Sequence, residues 1–103
     1  MRLLTLAEFD LFIKGKSAAA ILFDARWNMN KILRERLIQA ENLLHDRVNF
    51  GEVDCNSDHE FTKSHHILSV PSVAYYRNGQ FVKTVVGSAQ DVHLNLSNIL
   101  SDN

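Results

Sequence analysis

The stretch Ala18-Ala19-Ala20-Ile21-Leu22-Phe23-Asp24-Ala25-Arg26-Trp27-Asn28-Met29-Asn30-Lys31 passes from an uninterrupted apolar run through a polar turn into a helical pattern. The apolar run, Ala18 to Phe23, is six residues long. Residues 19–24 are too few for a good helix and are bounded by charge, which suits a strand buried on both faces of a sheet. Such a strand should be central. Beyond the turn, from Asn30 to about Asp46, Leu33, Leu37, Ala40 and Leu44 recur at helical spacing while Lys31, Arg34, Glu35, Glu41 and Asn42 point elsewhere. That is a long amphipathic helix, and Asn28 and Asn30 are both acceptable N-caps for it.

Working outward, Thr5-Leu6-Ala7-Glu8 reads as a capping box opening a short helix with Leu6, Phe9, Phe12 and Ile13 on one side, closed by Gly15. Arg2 to Leu4 should form a short strand at the far edge of the sheet. Downstream, Val48 to Asp54 has the Val and Phe content of a second inner strand, and Ser57-Asp58-His59-Glu60 offers a capping box for a short helix around Phe61. Ser72 to Tyr76 and Gln80 to Val86 are strand-like runs joined through Arg77-Asn78-Gly79, and an Asn-Gly pair signals a hairpin. Ser88-Ala89-Gln90-Asp91 reads as a cap before a last helix that offers Val92, Leu94, Leu96, Ile99 and Leu100 to the core. The crossover forces parallel strands and the hairpin adds antiparallel ones. The expected fold is α/β, a central mixed sheet of four to five strands flanked by about four helices, with residues 1–103 in one domain.

The chain has 103 residues, 46% apolar and 22% charged, which fits one globular domain and excludes disorder, collagen and coiled coil. Eleven Lys and Arg against twelve Asp and Glu give a formal net charge of -1 with no block of one sign. This argues against a nucleic-acid or polybasic membrane surface. Arg2 before an apolar stretch and Ala18-Ala19-Ala20 imitate a signal peptide, but Glu8, Asp10, Lys14 and Lys16 interrupt it, so a cytoplasmic address is expected. Cys55 is the only cysteine, which rules out an internal disulfide.

Several landmarks fall in an order that resembles the thioredoxin family over nearly the whole chain. In thioredoxins a strand ending in Trp-Cys-Gly-Pro-Cys-Lys runs straight into a long helix; here Asp24-Ala25-Arg26-Trp27 runs into Asn28-Met29-Asn30-Lys31. Glu52-Val53-Asp54 before Cys55-Asn56-Ser57 matches the family's strand ending in Val-Asp. Ile67-Leu68-Ser69-Val70-Pro71-Ser72 resembles the segment around its cis-proline, and Tyr76-Arg77-Asn78-Gly79-Gln80 and Val86-Gly87 sit at family spacing. The resemblance implies the thioredoxin fold. It also exposes departures, because Asn28 and Lys31 stand at the two cysteine positions and Leu22 where the family's buried acid belongs. Disulfide exchange needs a thiolate at a helix N-terminus and a second thiol to resolve the mixed disulfide. A carboxamide and a lysine supply neither, so dithiol–disulfide oxidoreductase activity is not expected and no catalytic residue is assigned.

The resemblance makes Val70 and Pro71 candidate contacts to an extended peptide, with Pro71 expected to be cis and Leu22 deeply buried. Trp27 and Met29 are large apolar side chains in a turn, a composition that suits an adaptable binding patch, although Trp27 packed against its own loop accounts for it as well. Asn28, Asn30 and Lys31 complete the candidate face, the asparagines doubling as caps. Gly87 either allows close backbone approach there or is a turn glycine. Cys55 aligns with the end of an inner strand, away from the turn, with no group evident to lower its pKa. His59, His65 and His66 invite a metal reading, but adjacent residues on a helix point apart. Tyr75 and Tyr76 should face opposite sides of a strand. The sequence thus suggests a redox-inactive thioredoxin-like protein that binds a protein or peptide, without metal or cofactor, in a chaperone-like or assembly role. A thiol role through Cys55, or a structural subunit docking by a sheet edge or helix face, is the alternative.

Overall fold

The apolar run forms a strand over Ala18–Asp24 in which every residue is buried. The computed structural model describes residues 1–25, 30–56, 63–65, 67 and 69–101. Around that strand the elements follow in the order β1 (Arg2–Leu3), α1 (Leu6–Lys14), β2 (Ala18–Asp24), α2 (Lys31–Leu44), β3 (Val48–Asp54), β4 (Ser72–Arg77), β5 (Gln80–Val86) and α3 (Val92–Ser101). The capping box expected to open a helix around Phe61 falls on residues outside those described, beyond which Lys63 and Ser64 are helical. None of the described helices is long and apolar enough to cross a membrane.

The five strands form one mixed sheet in the order β1-β3-β2-β4-β5. β3 runs parallel to both β1 and β2, while β4 pairs antiparallel with β2 and with β5. β2 is therefore central, as its apolar composition requires. The hairpin turns on Asn78 and Gly79 alone, with φ of 51° and 80°, the pair of positive angles that a tight two-residue turn demands.

Alternation along β2 feeds two cores. Ala18, Ala20 and Leu22 face Leu33, Leu37 and Ala40 of α2 and Val92, Leu96 and Ile99 of α3. Ala19, Ile21 and Phe23 face Phe9 and Ile13 of α1, together with Cys55, Ile67 and Tyr76. Tyr75 joins the first core and Tyr76 the second. Burying side chains such as Leu33 and Leu37 contributes about 1.5 to 3 kcal/mol each. Two expected core positions are exposed instead, Leu6 at 55% and Leu94 at 54%. Leu94 follows Val92 by two residues, about 200° around the helix, so it points away from the sheet. Leu6 shares the stripe of Phe9 but stands at the first position of α1, beyond the packed surface.

The helix starts follow their caps. The Thr5 amide donates to Glu8 Oε1 at 3.0 Å. Asn30 Oδ1 accepts from the Leu33 amide at 3.0 Å. The last helix is capped by Asp91, the final residue of the Ser88–Asp91 stretch, whose Oδ1 accepts from the Leu94 amide at 3.0 Å. Gln90 is instead buried and forms a clasp. Its Nε2 donates to the carbonyls of Val85 at 2.8 Å and Gly87 at 2.9 Å, and its Oε1 accepts from the Tyr75 hydroxyl at 2.7 Å. Asn95 Nδ2 donates to the same hydroxyl at 3.2 Å and Asn95 Oδ1 accepts from Lys83 Nζ at 3.3 Å. Burial pushes the Tyr75 phenol up to about 12, so at neutral pH it remains the donor this network uses.

Candidate functional site

The register of the sheet brings four chain segments to one rim. Asp24 lies beside Asp54, Phe23 beside Ser72, and Ser72 beside Val86. The residues that follow β2 and β5 and those that precede β4 are thereby gathered: Asn30 and Lys31, Gly87, and Ser69 to Pro71. Ligand sites in α/β sheets form outside the carboxyl ends of parallel strands such as β2 and β3.

Asp24 organises the rim. The residue is 4% exposed, and its carboxylate accepts from the Ala25 amide at 2.8 Å through Oδ1 and from the Asn30 amide at 3.2 Å through Oδ2. One side chain thus holds both ends of the segment that carries Arg26, Trp27, Asn28 and Met29. The candidate residues Trp27, Asn28 and Met29 lie outside the described residues. Asn30 is committed to the cap of α2, and Lys31, exposed, adds a cation where the helix N-terminus already carries partial positive charge.

On the other side of the rim the Val70–Pro71 peptide bond is cis. Ser72 Oγ donates to the Ser69 carbonyl, and the Pro71 carbonyl accepts from the Gly87 amide at 2.9 Å. Val70 is exposed at 37%. Gly87 has φ of 102°, and a Cβ there would meet nothing within 4 Å. The glycine is thus set by its backbone angle, which side chains resist, and the space above it is open. Asn30, Lys31, Val70, Pro71 and Gly87 follow or precede strand ends that lie side by side at this rim.

Leu22 is fully buried. Its neighbour across the sheet is Glu52, whose carboxylate meets Arg34 of α2 at 2.7 Å with both side chains largely covered. The acid closest in register to Leu22 is therefore already paired. The sequence reading missed Glu52 and Asp24; for Asp24 the signal was a lone carboxylate between an apolar strand and a turn that needs hydrogen-bond acceptors.

Cys55 directly follows the inner strand β3, as its alignment implied, and its amide donates to the Asp24 carbonyl at 3.0 Å. Its side chain is buried in the core beneath α1, on the sheet face opposite α2. The adjacent parallel strand ends beside β2, which sequence distance conceals. His65 is half-buried, with its ring 4.7 Å from that of Phe9 and 6.5 Å from that of Phe23, and its Nδ1 is 3.2 Å from Ser64 Oγ. His59 and His66 lie outside the described residues, and among those described no three His, Cys, Asp or Glu side chains gather to hold a metal.

A family model described as Thioredoxin matches residues 1–99. Among solved structures, mitochondrial thioredoxin 3 from Saccharomyces cerevisiae in its oxidized form is similar with a TM-score of 0.80 at 23% identity, covering 94% of this chain and 92% of that one. A Plasmodium falciparum thioredoxin is similar with a TM-score of 0.79 at 27% identity, covering 100% of both chains. Human ERp44 form I is similar with a TM-score of 0.77 at 19% identity, covering 97% of this chain but 28% of that one. No curated protein matches the sequence.

Proposed function

Because this chain belongs to the thioredoxin family yet carries a single cysteine, Cys55, we propose that it is a redox-inactive member whose rim beside the Trp27 turn binds a protein or an extended peptide. The observation that carries this reading is Leu22, a hydrocarbon with no exposure at the position where the resemblance places a proton-transferring acid. Disulfide exchange requires a thiolate and a resolving thiol, and positions 28 and 31 hold Asn and Lys. What remains at the rim is surface: exposed Val70, Pro71, open space over Gly87, and Lys31. A chaperone-like or assembly role fits that remainder, as does a cytoplasmic address for a fold whose core needs no disulfide.

Insulin reduction by the wild type and by Cys55→Ser tests the inactive half of the proposal. Neither should turn over, and Cys55-dependent turnover overturns it. Affinity capture tests the binding half, with Trp27→Ala and Val70→Glu each expected to lose a partner that the wild type retains. Restoring cysteines with Asn28→Cys and Lys31→Cys should return weak reductase activity only. The helix terminus favours the new thiolate by about 0.3 to 1 kcal/mol, but no acid stands at position 22. Full thioredoxin-like turnover from that double variant would show that Leu22 is no obstacle.

A further inference from the structure

The two edges of the sheet are built differently. β1 is two residues long, and its Arg2 is drawn onto Glu8 and over the Phe12 ring. β5 runs seven residues, with no strand paired beyond it among the described residues. Open edges are usually guarded by proline, by outward lysine or by bulges. β5 contains no proline and one charge, Lys83. That charge is turned over the sheet, where Nζ donates to Asn95 Oδ1 at 3.3 Å and stands 6.0 Å from the Tyr75 ring centroid. The one irregularity is a bulge at Val82, which the register skips between the Tyr75–Lys83 and Tyr76–Phe81 pairs; from Lys83 to Val86 the edge is regular. Phe81 and Val86 are each 60% exposed and Val82 is 44% exposed.

Hydrogen-bond alternation decides which groups face outward. The Gly87 amide donates to Pro71, so the bonded pairs with β4 fall at Gly87, Val85 and Lys83, and Thr84 and Val86 direct their amides and carbonyls to the open side. We propose that this edge pairs with a second copy of the chain, antiparallel about a two-fold axis at Thr84. In that register Thr84 meets its own copy and Lys83 meets Val85, while Val86 reaches the bulge at Val82. No like charges oppose each other. The register centred on Lys83 sets two ammonium groups face to face and is disfavoured. The contact is isologous and closes at two copies, because β1 is too short to continue the sheet. Only one seven-residue strand of each copy takes part, so the dimer is expected to be weak, with a dissociation constant micromolar or above.

Sedimentation of the full chain over a concentration series should show reversible monomer–dimer exchange. Thr84→Lys puts like charges on the axis and should raise the dissociation constant roughly ten-fold or more, with circular dichroism and thermal unfolding reporting an intact fold. Leu43→Lys, on α2 and 71% exposed in the wild type, should change nothing. Thr84→Cys in a Cys55→Ser background should give an inter-chain disulfide on mild oxidation, since directly opposed bonded residues stand about 5.5 Å apart at Cα, within disulfide reach. A wild type that stays monomeric throughout with no cross-link overturns the proposal. So does a dimer indifferent to Thr84→Lys, which would place the contact elsewhere, or an edge that pairs only with foreign strand-forming peptides.

Discussion

Polar groups are buried in two regions, and each uses them differently. In the clasp, Gln90, Tyr75, Asn95 and Lys83 join β4, β5 and α3, with Tyr75 bonded across 15 residues to Gln90 and 20 to Asn95. At the rim, Asp24 bonds to Ala25 and Asn30, one and six residues away. The clasp fixes how a helix sits on the sheet; Asp24 ties only the Ala25 and Asn30 amides. Loss of a clasp group should therefore be felt by the whole fold, and loss of Asp24 mainly by the surface beside it. Between them Leu22 keeps the middle of β2 free of polar atoms.

The sharpest way to break this contrast is Leu22→Asp, which puts a carboxyl group with no free partner into hydrocarbon. A loss of about 3 kcal/mol or more is expected in chemical denaturation; tolerance would mean that polar groups are accommodated in mid-strand after all. Gln90→Ala should follow, since it removes the donor to the Val85 and Gly87 carbonyls and the acceptor of the buried Tyr75 hydroxyl, with a loss of about 2 to 3 kcal/mol in the same assay. Asp24→Asn should cost about 1 to 2 kcal/mol, yet accelerate hydrogen exchange at the Asn30 amide and weaken partner capture. Equal effects on global stability from Asp24→Asn and Gln90→Ala would erase the distinction between local and global roles.

Alkaline titration separates the regions further. Tyr75 is raised from 10.0 to about 12, chiefly by burial. A folded-state value above the unfolded one means that its contribution is fully present below pH 10 and is lost as pH rises from there through about 12. Burial raises Tyr76 as well, against the α1 face. Thermal melts across that window should fall for the wild type and fall less for Tyr75→Phe. The smallest change is expected at the β1 edge, where Arg2→Ala removes an exposed ion pair with Glu8 and should shift stability by no more than about 0.5 kcal/mol.

Most of the framework was legible in local pattern. The alanine-led run, the leucines at 33 and 37 and the Asn78-Gly79 pair each carry a period or a turn chemistry that one window reveals. Leu94 misled because any apolar residue in a helical window looks available to the core until the helix is phased against the sheet. Asp91 and Ser88 are equally good caps by composition, and only the docking of Gln90 onto β5 decides between them. At the rim, sequence named the residues brought together but not what holds them. Asp24 and Cys55 become neighbours through parallel pairing, and Glu52 meets Arg34 because strand and helix pack face to face, which no local pattern encodes.

The position of β2 also constrains how the chain can be made. Its two partners are β3, at residues 48–54, and β4, at residues 72–77, both later in the sequence. A ribosome therefore releases a strand that is apolar up to its terminal Asp24 long before either flank is covered, and for the interval between β3 and β4 one side of it has no neighbour. Long-range pairing of this kind slows folding and leaves nascent edges prone to association. Chains truncated after residue 56 should bind trigger-type holdases and a fluorescent hydrophobic dye, and chains extending past residue 77 should bind both far less.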